Sequence, residues 1–104
     1  MPRPSYHLLI GDQAQDELEN LFAFWIEVHG LSDAIRFRAY LDEKLVFLSQ
    51  NPFSGSIISR KPVETRRWVV HPTYCIIHEW YPAAELVKVL SFWDNRQDPT
   101  WMRV

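Results

Sequence analysis

The sequence predicts an α+β domain, on three observations. Two adjacent stretches repeat apolar residues at three- and four-residue steps, the period of amphipathic helices. Three later stretches are rich in β-branched and aromatic residues and are joined by short turns. The two patterns are segregated along the chain, helices first and strands after, where a parallel α/β fold would alternate them. At 104 residues the chain has room for one domain, 1–104, and its 47% apolar and 23% charged residues are ordinary globular proportions.

Each element follows in order. Ser5 to Ile10 reads as a short strand ended by Gly11-Asp12, with Asp12 as the cap of a first helix and Gln15 completing a loose capping box. Asp16, Glu17 and Glu19 favour the positive end of the helix dipole. Leu18, Leu21, Phe22, Trp25 and Val28 form its apolar stripe, and Gly30 is expected to close it in the left-handed conformation. Ser32 then caps a second helix whose stripe is Ala34, Phe37, Leu41, Leu45 and Leu48, stopped by Asn51-Pro52. So short a connection makes an antiparallel helical hairpin, and neither stripe can stay wet. Residues 52 to 62 read as irregular or weakly extended. Arg66 to Val70, Tyr74 to Tyr81 and Leu86 to Asp94 read as an antiparallel meander, with turns at 71–73 and 82–85. The expected architecture is an N-terminal strand and a helical hairpin packed on a small antiparallel sheet.

Composition excludes several classes of function. One cysteine, Cys75, rules out an internal disulfide and a multi-cysteine zinc site. No basic segment followed by an apolar run opens the chain, and no apolar run approaches the ~20 residues of a membrane span, so a cytoplasmic protein without a membrane partner is expected. Three glycines cannot build a phosphate-cradling loop, and no cofactor is expected. A net charge of −2 excludes a wholly basic nucleic-acid binder. The charge is unevenly placed: residues 1–52 hold four basic against eight acidic side chains, and residues 53–104 hold seven against five. The second half therefore points to an anionic partner.

Arg60, Lys61, Arg66 and Arg67 are the densest cationic feature, with Arg96 and Arg103 later. Arginine offers a planar fork to phosphates or to an acidic protein segment, although Arg66 and Arg67, adjacent on a strand, face opposite sides. His71, Cys75 and His78 do not converge as metal ligands, because Cys75 and His78 also face opposite sides, and no metal is expected. His78 is a candidate general base or acid, weighed against a histidine satisfied within a sheet. Cys75 reads as a small core residue. Trp93, Trp101 and Met102 suit a partner-facing surface.

The stretches "GDQAQDELENLFAFWIE", "AIRFRAYLDEKLVFLSQNP", "RRWVVHPTYCIIHEW" and "VKVLSFWDNRQDP", in that order, resemble the RelE/ParE superfamily of toxins from type II toxin–antitoxin modules. They cover nearly the whole chain, and the closing "WDNRQDP" looks more like the ParE or plasmid-stabilisation branch. The resemblance implies a bacterial growth inhibitor neutralised by a cognate antitoxin with an acidic flexible segment. It also implies one of two activities: metal-independent cleavage of mRNA on the ribosome, or inhibition of DNA gyrase by binding alone. The strand Tyr-Arg pair of the nuclease branch falls at Tyr74-Cys75, so its Arg is missing. The Tyr three residues on is His78, the Arg near the chain end is Arg96, and the tail Tyr falls near Met102. Cleaving RNA without metal needs a base, an acid and cations. Arg67, His78 and Arg96 would supply part of that set, and the usual acid is absent. The resemblance thus implies a ParE-like toxin that binds a protein target such as gyrase through Arg60, Lys61, Arg66, Arg67, Trp93, Arg96 and Trp101. The nuclease, and an inactive homologue that only binds, are the alternatives. A homodimer or a heterotetramer with the antitoxin are the assemblies left open.

Overall fold

The computed structural model describes residues 5–94. Its elements are β1 (His7–Ile10), α1 (Asp12–His29), α2 (Leu31–Gln50), β2 (Ser56–Ser59), β3 (Glu64–His71), β4 (Tyr74–Tyr81), a 3-10 turn (Pro82–Ala84) and β5 (Leu86–Asp94). The strands form one sheet in the order β1-β5-β4-β3-β2. The α+β architecture is the predicted one, with two differences. β1 joins the sheet parallel to β5, from His7 opposite Leu86 to Ile10 opposite Val89, so the sheet is mixed. A parallel neighbour needs a long crossover, and everything from α1 to β4 supplies it. The segment read as irregular or weakly extended contains β2, which pairs with β3 only from Thr65 to Arg67. Its register shifts between Ile57 and Ser59, so no period-2 pattern marked it.

The helix ends also differ from expectation. Gly11 is the N-cap of α1 and Asp12 already lies in the first turn, with no side-chain cap bond. The Gly11 N–H is instead held by the Val89 carbonyl at 2.9 Å, tying the helix start to β5. Gly30 alone joins the helices, closing α1 and opening α2, so Ser32 sits inside α2 and caps nothing. With φ 88° and ψ 163°, Gly30 occupies an extended positive-φ region reached essentially by glycine alone, rather than the left-handed helical one.

On α2 the buried residues are Ala34, Phe37, Leu41, Leu45 and Leu48, the predicted stripe without exception. On α1, Ala14 and Leu18 are buried while Leu21 and Trp25 are partly so. Val28, expected in that stripe, is 54% exposed, because it lies one turn from exposed Phe24 at the edge of the buried face. Val70, Tyr74, Ile76, Val87, Val89 and Phe92 complete the core from one face of the sheet. Trp25 stacks on Phe37 at 4.1 Å between ring centres and fastens the two helices together. The Tyr40 hydroxyl donates to the Val70 carbonyl, joining α2 to β3. Glu17 reaches from α1 to β5, where its Oε1 accepts from Ser91 Oγ at 2.9 Å and from the Phe92 N–H at 3.3 Å. That contact falls beside a bulge: Ile77 faces Ser91 while His78 faces Val89, leaving Leu90 as the extra residue.

Among the described residues, no helix is long and apolar enough to cross a membrane.

Candidate functional site

The cationic residues singled out in the sequence separate into two sets. Arg60 and Lys61 stand exposed in the connection from β2 to β3. Arg66 pairs across the sheet with His78, and Arg67 with Ile77, so the two guanidinium groups leave opposite faces as expected. Arg96 and Trp101 lie outside the described residues, and so do Met102 and Arg103.

Arg66 is engaged inside the fold. Its Nε donates to Glu64 Oε2 at 2.8 Å, and its Nη1 donates to the carbonyls of Phe53 and Gly55 at 2.9 and 3.0 Å. His78, one strand over on the same face, places Nε2 3.1 Å from the carbonyl of Ser54. Three successive carbonyls, 53 to 55, are therefore held by one arginine and one histidine. The loop that carries them leaves α2 through Asn51, whose Nδ2 donates to the Phe47 carbonyl at 2.9 Å. No local pattern in the sequence marks this arrangement, since its donors and acceptors lie 11 to 24 residues apart.

The geometry defines the state of His78. A carbonyl only accepts, so Nε2 carries the proton. The fully buried ring leaves Nδ1 with no partner among the described residues. Burial disfavours the imidazolium and pulls the pKa down to about 4, helped by nearby Arg66 and opposed by the Ser54 bond and Glu64. His78 is thus a neutral donor that anchors a loop. Arg67 lies across the sheet from it, so the structure does not bring together the two described residues of the nuclease set.

An acid dependence of stability follows. The folded state holds His78 neutral down to about pH 4, whereas the unfolded chain takes up the proton near pH 6.5. Stability is therefore complete above pH 6.5 and falls as pH drops toward 4, by about 3 kcal/mol from this group. Urea unfolding at a series of pH values should show this loss, and it should be absent from the His78→Gln protein. Parallel pH profiles for the two proteins would rule the effect out.

Arg67 lies by Cys75 on the face away from the helices. Burial pushes the thiol up from its ordinary value, outweighing the charge and hydrogen bond of Arg67, which act in the opposite direction. Cys75 therefore stays protonated at neutral pH and is no nucleophile. Trp93 pairs with Cys75 near the end of β5, so its side chain leaves the sheet on the face away from the helices, although the residue also borders the end of a cleft against α1. Sequence reasoning missed the ring cluster around His71, which meets Phe37 and Tyr40 edge-on, with ring centres 5.7 and 6.3 Å away. His71 Nδ1 accepts from the Thr73 N–H at 3.2 Å, so the β3–β4 turn sets its orientation.

This helical hairpin on a five-stranded sheet has a counterpart among solved structures. A chain of the chromosomal ParDE TA system from P. aeruginosa matches it with a TM-score of 0.71, over 86% of this chain and 96% of that one. Identity is 13%, so the two share a fold, and it is the one the sequence resemblance implied. No family profile and no curated protein matches the sequence.

Proposed function

We propose that this chain is the toxin of a type II toxin–antitoxin module, ParE-like in action. It stops growth by binding a protein target, such as DNA gyrase, and is neutralised by a cognate antitoxin. The carrying observation is the fold it shares with a ParDE chain over 86% of this chain and 96% of that one. The site's chemistry favours binding over RNA cleavage. A base for the 2′-hydroxyl must be reachable and titrate near neutrality. His78 is sealed behind the loop it anchors, and Cys75 stands where the nuclease branch carries its Arg. In this reading the contacts to antitoxin and target come from Arg60, Lys61 and Arg67, together with Trp93 and the tail residues Arg96 and Trp101. Arg66 is occupied within the fold and leaves the set. In this reading the protein meets these partners in the cytoplasm.

Induced expression in a bacterial host tests the proposal. The expected result is growth arrest with intact transcripts and loss of gyrase supercoiling activity, relieved by co-expressing the product of a short acidic reading frame next to the gene. Site-specific mRNA cuts that vanish in the His78→Ala protein would install the nuclease reading instead. Absence of arrest would leave only the inactive homologue. With antitoxin in hand, Arg67→Glu should raise the Kd roughly tenfold at low salt, and the difference should shrink as salt screens the pair. A complex indifferent to both changes would show that the basic rim is not the docking surface.

A further inference from the structure

The face turned toward α1 has the opposite electrostatic character from the basic rim. A cleft of about 340 Å³ runs between α1 and the end of β5, with Leu21, Phe24, Tyr74 and Phe92 among its walls. Phe24 is 47% exposed, on a helix whose other face buries Ala14 and Leu18 and partly buries Leu21 and Trp25. Val28, four residues on along the same ridge and 54% exposed, extends the apolar line toward the hairpin tip.

Among the described residues, the charge around this cleft has one sign. α1 carries five carboxylates, Asp12, Asp16, Glu17, Glu19 and Glu27, and neither lysine nor arginine. Among the described residues none of the five makes an ion pair. Helical spacing puts Asp16 beside Asn20 and Glu27 beside Phe24, so two of them flank the residues that line the cleft. Glu17 is fixed in the wall by its bonds to Ser91 and Phe92. Aromatic faces bordered by unneutralised carboxylates attract a cation twice, through the ring quadrupole and through the negative field. A neutral apolar ligand gains nothing from the carboxylates, and an anionic one is repelled.

We infer that this cleft is a docking site for a basic segment of a partner protein, carrying lysine or arginine next to an aromatic or aliphatic anchor. The site stands apart from Arg60, Lys61 and Arg67, the rim proposed to receive an acidic segment, and meets the contact set of the toxin reading only at Trp93.

Three synthetic peptides of about seven residues test it against the full chain, followed by amide shifts in nitrogen–proton correlation spectra. The first combines arginine and lysine with one leucine and one tryptophan. The second carries glutamate for every base, and the third serine for both anchors. The first peptide should shift the amides of Asn20 to Phe24 and of Trp93, binding about tenfold or more above the other two and weakening with salt. Phe24→Ala removes an exposed ring, so it should abolish this binding while leaving the melting temperature within a few degrees. Equal binding of the acidic peptide, or shifts scattered away from the cleft, would overturn the inference. So would a cleft already filled by the chain's own residues 95–104, revealed if Trp101→Ser moves the same amides with no peptide present. A failure here leaves growth arrest untouched, and a failed growth assay leaves this binding untouched.

Discussion

Replacing Leu41 with alanine is expected to cost about 2–5 kcal/mol of stability, among the largest effects of any single substitution in this protein. Leu41 is 1% exposed in the middle of α2, with Phe37 one turn before it and Leu45 one turn after, all in one cluster with the sheet residues beneath. Removing the isobutyl group forfeits its transfer out of water and leaves a cavity, because helix and sheet are both pinned and cannot close on it. The pinning is specific: the Trp25–Phe37 stack on one side, and the Tyr40 bond to Val70 on the other. Urea unfolding should show a lower midpoint with an unchanged slope. Val46→Ala, at a site on the same helix 60% exposed, should change stability by less than about 0.5 kcal/mol. A comparably small effect at Leu41 would mean that the helix presents a different face to the sheet.

Gly55→Ala should cost at least about 2 kcal/mol, and by a different route. Gly55 has φ +86°, where a side chain strains the backbone by about 1–3 kcal/mol. A Cβ there would also fall 2.3 Å from the Arg67 carbonyl oxygen and 2.8 Å from Trp68 Cα. Those atoms belong to a paired strand and cannot swing aside as a flexible side chain would. Relief requires β2 to lift from β3, which would draw the carbonyls of residues 53 to 55 away from Arg66 and His78. Amide exchange should therefore quicken selectively at Ser56, Ile57, Arg66 and Arg67, while the β4–β5 pairing keeps its protection. Uniform quickening across the sheet, or none, would contradict this account.

Much of the fold was legible in the sequence, for reasons visible residue by residue. The stripe of α2 is buried exactly where its period placed it, and β4 and β5 begin and end where their turn residues said. Helical and strand periods are local properties, and a chain that must hide its apolar side chains follows them. Local signals failed where a distant partner decided the outcome. Asp12 and Ser32 have capping side chains, yet the helix starts fall on Gly11 and Gly30, one bonded to β5 and the other turning the chain in a single residue. β2 lacks alternation and exists because β3 offers it an edge.

The candidate site divides the same way. That Arg66 and Arg67 face apart, and Cys75 and His78 likewise, needed only the two-residue period of a strand. That Arg66 serves the fold while Arg67 lies beside a protonated thiol depended on which face the helices cover. His78 shows the division most plainly. Its sequence admits a base, an acid or a core residue, since an imidazole in water titrates near neutrality. Its role as a neutral anchor was decided by a loop 24 residues away, because only burial and one carbonyl acceptor could remove the charge and fix the proton. The sequence by itself determined the class of fold, the buried face of α2 and the opposite facing of strand neighbours such as Arg66 and Arg67, all set by short-range period and the need to exclude water. The tertiary structure decided which polar groups are consumed in holding the chain together, because hydrogen bonds and desolvation depend on neighbours that only folding brings near.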